Sequence, residues 1–308
     1  MVTPANTPDR LLINHASSEL RTLRDWLRFT VSYFNQADLF FGHGFATAYD
    51  EATHLILHTL HLAPDQLTLF LDARLTQIER DQIVQLILQR VTEKIPVAYL
   101  THEAWLGDFS FYVDKRVIIP RSFIAELLQT RLAPWISQPE GIHTALDLCT
   151  GSGCLAILLA HAFENARIDA VDISPDALDV ARKNIERYDL VHVIRPIQSD
   201  LFSALAGQRY DVIISNPPYV NAASMATLPD EYHHEPNIAL AGGQDGLTII
   251  HNLLKEAANY LTENGLLIVE IGHNREVLEQ SFPRIPFTWL ETSGGDQFVF
   301  MLERKDLI

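Results

Sequence analysis

The stretch "HTALDLCTGSGCLAILLAHAF", residues 143–163, decides the fold. Its first seven residues form a short apolar run that fits a buried strand, and its last ten carry an apolar helix. Only "TGSG" separates the two. A strand that turns into a helix over two glycines is the start of a βαβ unit. The rhythm then repeats. "RIDAVDI" reads as the next strand and "SPDALDVARKNIERY" as its helix, with Ser174 as N-cap and Pro175 at the first helical position. "VHVIRPIQSD", "YDVIISN" and "GLLIVEIG" supply further strands, and "FTWLETSGGDQFVFMLERK" closes as two strands around a Gly-Gly turn. The pattern predicts an α/β fold: a mainly parallel, doubly wound, seven-stranded sheet with an antiparallel last strand. Such sheets bind ligands at the carboxyl ends of their strands.

Upstream the rhythm is different. From about Arg21 to Glu93, "DEATHLILHTLHL" and "QIERDQIVQLILQRV" repeat their apolar residues at three and four positions. A small all-helical domain is expected over residues 1–95. The alternating aromatics around "LGDF" predict a β-hairpin bridge over residues 96–122, which leaves 123–308 to the sheet domain.

Composition narrows the function. Lys+Arg 23 against Asp+Glu 39 gives a formal charge of −16, the wrong sign for a general nucleic-acid binder and a suitable one for a basic protein client. No apolar run approaches the roughly 20 residues that a bilayer requires. Cys149 and Cys154 are the only cysteines, too few for a disulfide framework, so a reduced, cytoplasmic setting is expected.

Gly151 and Gly153, with Ala156 as a third small residue, match the dinucleotide fingerprint, and Asp172 ends the second strand where ribose hydroxyls would be met. Asp147 argues against a dinucleotide, because a carboxylate just before the turn would oppose a pyrophosphate. It would instead attract the cationic groups of S-adenosyl-L-methionine, or cap the turn backbone. Asp200, ending the third strand, could accept from an adenine amino group with Leu201 against the purine, or be a plain turn residue.

The fourth strand ends in "SNPPYV", residues 215–220. Asn216 and Pro217 each precede a proline, so both are extended, and the corner is stiff and rich in acceptors. The Oδ1 of Asn216 and the carbonyl of Pro217 would form a fixed fork for a planar NH2, with Tyr219 as a wall. Such a nitrogen is a poor nucleophile, so holding both hydrogens and aiming the nitrogen at an activated methyl is the main service required.

"DLCTGSG", "DAVDIS", "SDLF" and "NPPY" together resemble the class I, Rossmann-like S-adenosylmethionine methyltransferases that modify planar amino groups. "FGHGFATAYDEA", "KIPVAYLTHEAWLGDFSFYVDKRVIIPRS" and "LPDEYHHEPNIALAGGQDGL" extend the likeness over nearly the whole chain, to the bacterial glutamine-amide methyltransferases of the HemK/Prm group. The resemblance implies cofactor contacts from Asp147, Leu148, Cys149, Thr150, Gly151, Gly153, Asp172, Ile173, Asp200, Leu201 and Asn216, with S-adenosyl-L-homocysteine as product. Asn216, Pro217, Pro218 and Tyr219 would hold the glutamine amide, Asn216, Pro217 and Tyr219 being the catalytic set, and no metal is expected. "PRSFIAEL", residues 120–127, stands where the release-factor branch carries a "PRPETE"-like signature. With "FGHG", this resembles the branch acting on ribosomal protein three of the large subunit.

The alternatives are methylation of the GGQ glutamine of release factors and a non-catalytic, cofactor-binding ribosome assembly factor. A DNA adenine methyltransferase shares "NPPY" but needs basic DNA-contacting segments, which this chain lacks. Arg121 reads either as a carboxylate binder for the client or as half of a surface ion pair. His43 reads as a client contact or a helix-end turn, and "GGQ", residues 242–244, as a turn.

Overall fold

The computed structural model describes residues 8–307, which divide into two compact units. The first takes the chain as far as Glu103 and also the distant segment Pro229–His234. The second takes Ala104–Leu228 and everything from Glu235 onward.

The first unit is helical: α1 (Pro8–Glu19), α2 (Leu23–Gln36), α3 (Ala48–Thr59), the single turn α4 (Leu67–Phe70), α5 (Gln77–Thr92) and α6 (Val97–Thr101). Local chemistry sets the helix starts. Thr22 with Asp25, and Thr76 with Glu79, form reciprocal capping boxes, while Thr47 accepts from the Asp50 N–H. Caps of this kind are worth about 1 kcal/mol each. Trp26, Phe34, Leu55, Ile83 and Ile87 are fully buried between the helices.

Asp230–His234 form a 3-10 turn in this unit. Glu231 accepts from the Phe40 N–H at 3.0 Å and from Arg90 Nη1 at 2.9 Å, and Arg90 Nε also donates to Glu51. Arg90 is 1% exposed, so the cation lies dry between two carboxylates. Burial pushes the Glu51 carboxyl up against the pull of Arg90. His43 is buried, its ring centroid 4.4 Å from that of Tyr232. It is therefore a packing residue, and the client-contact reading is corrected.

The second unit opens with the hairpin β1 (Glu103–Leu106) and β2 (Phe109–Tyr112). The Tyr112 N–H donates to Asn184 Oδ1, whose Nδ2 donates back to the Tyr112 carbonyl and to the Ser152 carbonyl. One buried amide thus ties the hairpin to the glycine turn. The main sheet contains β3 (Thr144–Leu148), β4 (Arg167–Asp172), β5 (Ile194–Gln198), β6 (Tyr210–Ser215), β7 (Leu261–Glu270), β8 (Thr288–Thr292) and β9 (Gly295–Glu303). Its order is β5-β4-β3-β6-β7-β9-β8, with β9 antiparallel to both neighbours. The predicted seven-stranded sheet with its reversed last strand is present among the described residues.

The helices of this unit are α7 (Ile124–Gln129), α8 (Cys154–Ala162), α9 (Pro175–Arg187), α10 (Ala222–Met225), α11 (Thr248–Glu256) and α12 (Arg275–Ser281). Side chains alternate across the strands, so Ala145 joins Ile157 and Val212 in one core while Leu146 joins Ile213 and Leu253 in the other. Each fully buried Leu or Ile contributes roughly 1.5–3 kcal/mol. Strand order reverses between β3 and β6, which pair in parallel with Leu148 opposite Ser215. A crevice is expected beyond their carboxyl ends. No helix among the described residues is long and apolar enough to cross a membrane.

Candidate functional site

The crevice is there, with a volume of about 370 Å³. Its walls include Cys149, Gly151, Asp172, Ile173, Asp200, Leu201, Asn216 and Pro218, which places eight of the expected residues together. A larger cavity of about 650 Å³ lies elsewhere in this unit, lined by Trp135, Asp211 and Glu263. It lacks Asp172, Asp200 and the glycine turn, and its Asp211 already accepts from the His143 and Thr144 N–H groups.

The turn after β3 is built from left-handed residues. Cys149 has φ 62°, Gly151 φ 54° and Gly153 φ 79°. At Gly153 a Cβ would come within 3.1 Å of the Ala181 Cβ on α9, so glycine is required for both conformation and packing. At Gly151 a Cβ would meet nothing within 4 Å, so only the backbone conformation demands glycine there. Cys149 and Leu201 (φ 45°) adopt the left-handed region without being glycine, a strain often found beside ligand sites. Burial pushes the Cys149 thiol up, which leaves it neutral.

Asp172 braces this turn. Its Oδ2 accepts from the Gly151 N–H and its Oδ1 from the Ser174 N–H, each at 2.9 Å. Burial nonetheless raises its pKa. A carboxylate oxygen has two lone pairs, so each still has capacity for a ligand hydroxyl. Asp200 is exposed at the rim, while its backbone carbonyl accepts from Ser203, so it serves as turn and wall together.

Asp147 is fully buried and is not among the crevice-lining residues. Its Oδ2 accepts from Thr150 Oγ1 at 2.6 Å, its Oδ1 has no partner, and burial pushes the carboxyl up to about 7. Leu148 and Thr150 are likewise interior, and Gly153 contributes packing. Of the two readings of Asp147, the brace on the turn is the one its contacts match.

At the end of β6, Ser215 Oγ donates to the Leu148 carbonyl at 2.8 Å, locking the two central strand ends together. Asn216 Nδ2 donates to the Arg121 carbonyl at 3.2 Å, which fixes the amide plane and leaves Oδ1 as an acceptor. Pro217 is buried and Pro218 faces the crevice. Tyr219 is clamped on several sides. Cβ atoms built at Gly242, Gly246 and Gly272 would come within 2.7, 2.5 and 2.7 Å of its Cα, carbonyl oxygen and ring, respectively. In the "GGQ" turn Gly242 lets backbone approach Tyr219, while Gly243, at φ 92°, lies against Thr248.

The Arg121 side chain is committed elsewhere. It grips Glu235 through both nitrogens, each at 2.6 Å, and the Glu235 side chain is 0% exposed. A buried carboxylate holds a bidentate guanidinium more strongly than a solvated client carboxylate could. Of the two readings of Arg121, the ion pair is the one its contacts match, with a buried rather than a surface acid, and its backbone carbonyl meets Asn216.

Two residues were missed in the sequence. Glu270, the last residue of β7, accepts from Ser122 Oγ at 2.7 Å, the Phe123 N–H at 2.9 Å and the Tyr219 hydroxyl at 3.2 Å. Burial raises its pKa. Its sequence signal was an acid closing the apolar run "LLIVEIG". Arg116 lines the crevice and is held by Asp114 at 2.6 and 2.8 Å; nothing in "DKRV" marks it.

Residues 126–229 match the family model described as methyltransferase small domain. A ribosomal protein uL3 glutamine methyltransferase of Neisseria meningitidis is 58% identical over 97% of this chain and 98% of its own. The protein of that name from Bordetella pertussis is 51% identical over 96% and 99%, respectively. Among solved structures, a methyltransferase from Pyrococcus furiosus matches 65% of this chain and 90% of its own, with TM-score 0.46 and 19% identity.

Proposed function

Because the chain belongs to the family of ribosomal protein uL3 glutamine methyltransferases, we propose that it methylates the side-chain amide nitrogen of one glutamine in ribosomal protein uL3. S-adenosyl-L-methionine is the donor and S-adenosyl-L-homocysteine the product; the methyl–sulfur bond breaks as the carbon–nitrogen bond forms, and one amide proton leaves to solvent. The observation that carries this reading is the Asn216 amide, held by the Arg121 carbonyl and presented on the crevice wall.

The crevice suits that donor. Its volume falls in the range of roughly 300–1,000 Å³ usual for ligand pockets. Asp172 has lone pairs to spare for ribose hydroxyls, and Asp200 with Leu201 offers an acceptor and an apolar face for the purine. Gly151 leaves the turn backbone open to the ligand. When bound, the donor supplies a methyl group on a sulfonium, already electrophilic.

The chain's own residues then address the weak partner, an amide nitrogen whose lone pair is delocalised. Asn216 Oδ1 and the Pro217 carbonyl accept its two hydrogens and fix its plane. Tyr219, immobilised by its glycine contacts, limits the glutamine to one approach. Orientation of this kind can lower a barrier by roughly 7–11 kcal/mol. The formal charge of −16 favours a basic client met free in the cytoplasm, before rRNA covers it.

The test is incubation with labelled donor and each of three clients: free uL3, assembled large subunits and release factor. One methyl group on one glutamine of free uL3 is expected. Labelling of release factor alone, or donor binding without any transfer, overturns the reading. Equal labelling of free and assembled uL3 overturns the timing.

A further inference from the structure

We infer that Glu270 is a positioning residue for the amide-binding corner, acting through Tyr219 on one side and the Ser122–Phe123 backbone on the other. The inference rests on the methyl-transfer reading above.

Glu270 ends β7 one residue beyond Val269, which pairs with Ser215, the last residue of β6, and Asn216 is the next residue of that neighbouring segment. Its two oxygens divide the work. Oε2 takes the Ser122 hydroxyl and the Phe123 N–H, and Oε1 takes the Tyr219 hydroxyl. Ser122 is covalently next to Arg121, whose carbonyl holds the Asn216 amide at 3.2 Å. Asn216 and Tyr219 are the outer members of the corner; Tyr219 touches the carboxylate directly, and Asn216 reaches it through the Arg121 carbonyl and the neighbouring Ser122. The group is 3% exposed, so water cannot replace a lost partner cheaply. Three donors converge on it, and a carboxylate accepts all three without contributing a hydrogen of its own.

A leucine at 270 keeps most of the volume but has no acceptor, so the Phe123 N–H, which can only donate, loses its partner together with both hydroxyls. Glu270→Leu is expected to lower kcat by about 100-fold, the scale of a 1 Å misplacement at a reacting centre. KM for the donor should stay within about twofold, because Glu270 does not line the crevice. Tyr219→Phe added to Glu270→Leu should cost much less than it does alone, the sign of two groups acting as one. Ser122→Ala, which leaves the carboxylate in place, should show a smaller loss of the same kind.

Wild-type kcat in Glu270→Leu, strictly additive losses with Tyr219→Phe, or a donor KM rising as far as kcat falls would each overturn the inference. Hydrogen exchange decides it without turnover. The Phe123 amide should exchange at least about tenfold faster in Glu270→Leu than in the wild type, and an unchanged rate overturns the claim. A wild-type chain that leaves uL3 unmodified defeats the functional reading, while the Phe123 exchange rate still tells whether Glu270 holds the corner.

Discussion

Asn216 and Arg121 meet side chain to backbone: the Nδ2 of the one donates to the carbonyl of the other at 3.2 Å. The fold alone therefore holds this amide, and in the proposed reaction it would be set before the client arrives. Pre-setting removes an ordering cost from the reaction step.

Asn216→Ala should lower kcat by about 100-fold or more, a loss well beyond any change in donor affinity. Single-turnover methylation of uL3 together with calorimetry of donor binding checks both halves. Retained turnover would remove Asn216 from the mechanism.

Asp172→Ala removes the acceptor for the Gly151 and Ser174 N–H groups from the crevice wall. Hydrogen bonds to a charged group are worth about 1.5–3 kcal/mol, so affinity for S-adenosyl-L-homocysteine should fall at least tenfold. Isothermal titration gives the number directly, and Asp200→Ala at the exposed rim should cost less.

Asp147 makes stability depend on pH. Burial raises its folded-state pKa to about 7, with the nearby Asp172 charge adding to the effect and Thr150 opposing it. An acid whose folded pKa lies above its unfolded value binds more protons when folded. Its contribution is therefore most favourable below the unfolded value near 3.8 and is lost as pH rises towards about 7. Asp172, Glu51 and Glu270 are raised in the same direction. Asp147→Asn should flatten the decline between about pH 4 and pH 7 relative to wild type, with urea unfolding as the measurement. A variant that tracks the wild type across that window would refute the assignment.

Arg90→Met should destabilise the chain by about 3–5 kcal/mol, because it leaves Glu51 and Glu231 buried without their cation. Replacing all three by apolar residues of similar volume should recover much of that loss. Denaturant melts of the two variants give the comparison.

The sheet was legible because a parallel core strand announces itself as a short apolar run, and the crevice because glycines and carboxylates fall at strand ends. Ser174 and Pro175 marked their helix start by local chemistry alone. What stayed hidden depends on partners far apart in sequence. Arg121 and Glu235 lie 114 positions apart, and nothing near either one announces the other. The Arg90 pairing to Glu231 spans 141 positions. Glu270 shows only as one acid at the end of an apolar run; its three donors come from two other parts of the chain.

The six residues Pro229–His234 have a practical consequence for protein engineering. A chimera that takes its N-terminal portion from another family member would receive that donor's counterparts of Glu51 and Arg90 but keep the host's Glu231. Retargeting by exchange thus calls for two cassettes, one terminal and one internal, transplanted as a matched set. Limited proteolysis after residue 103 would likewise sever a peptide link without yielding a complete helical fragment.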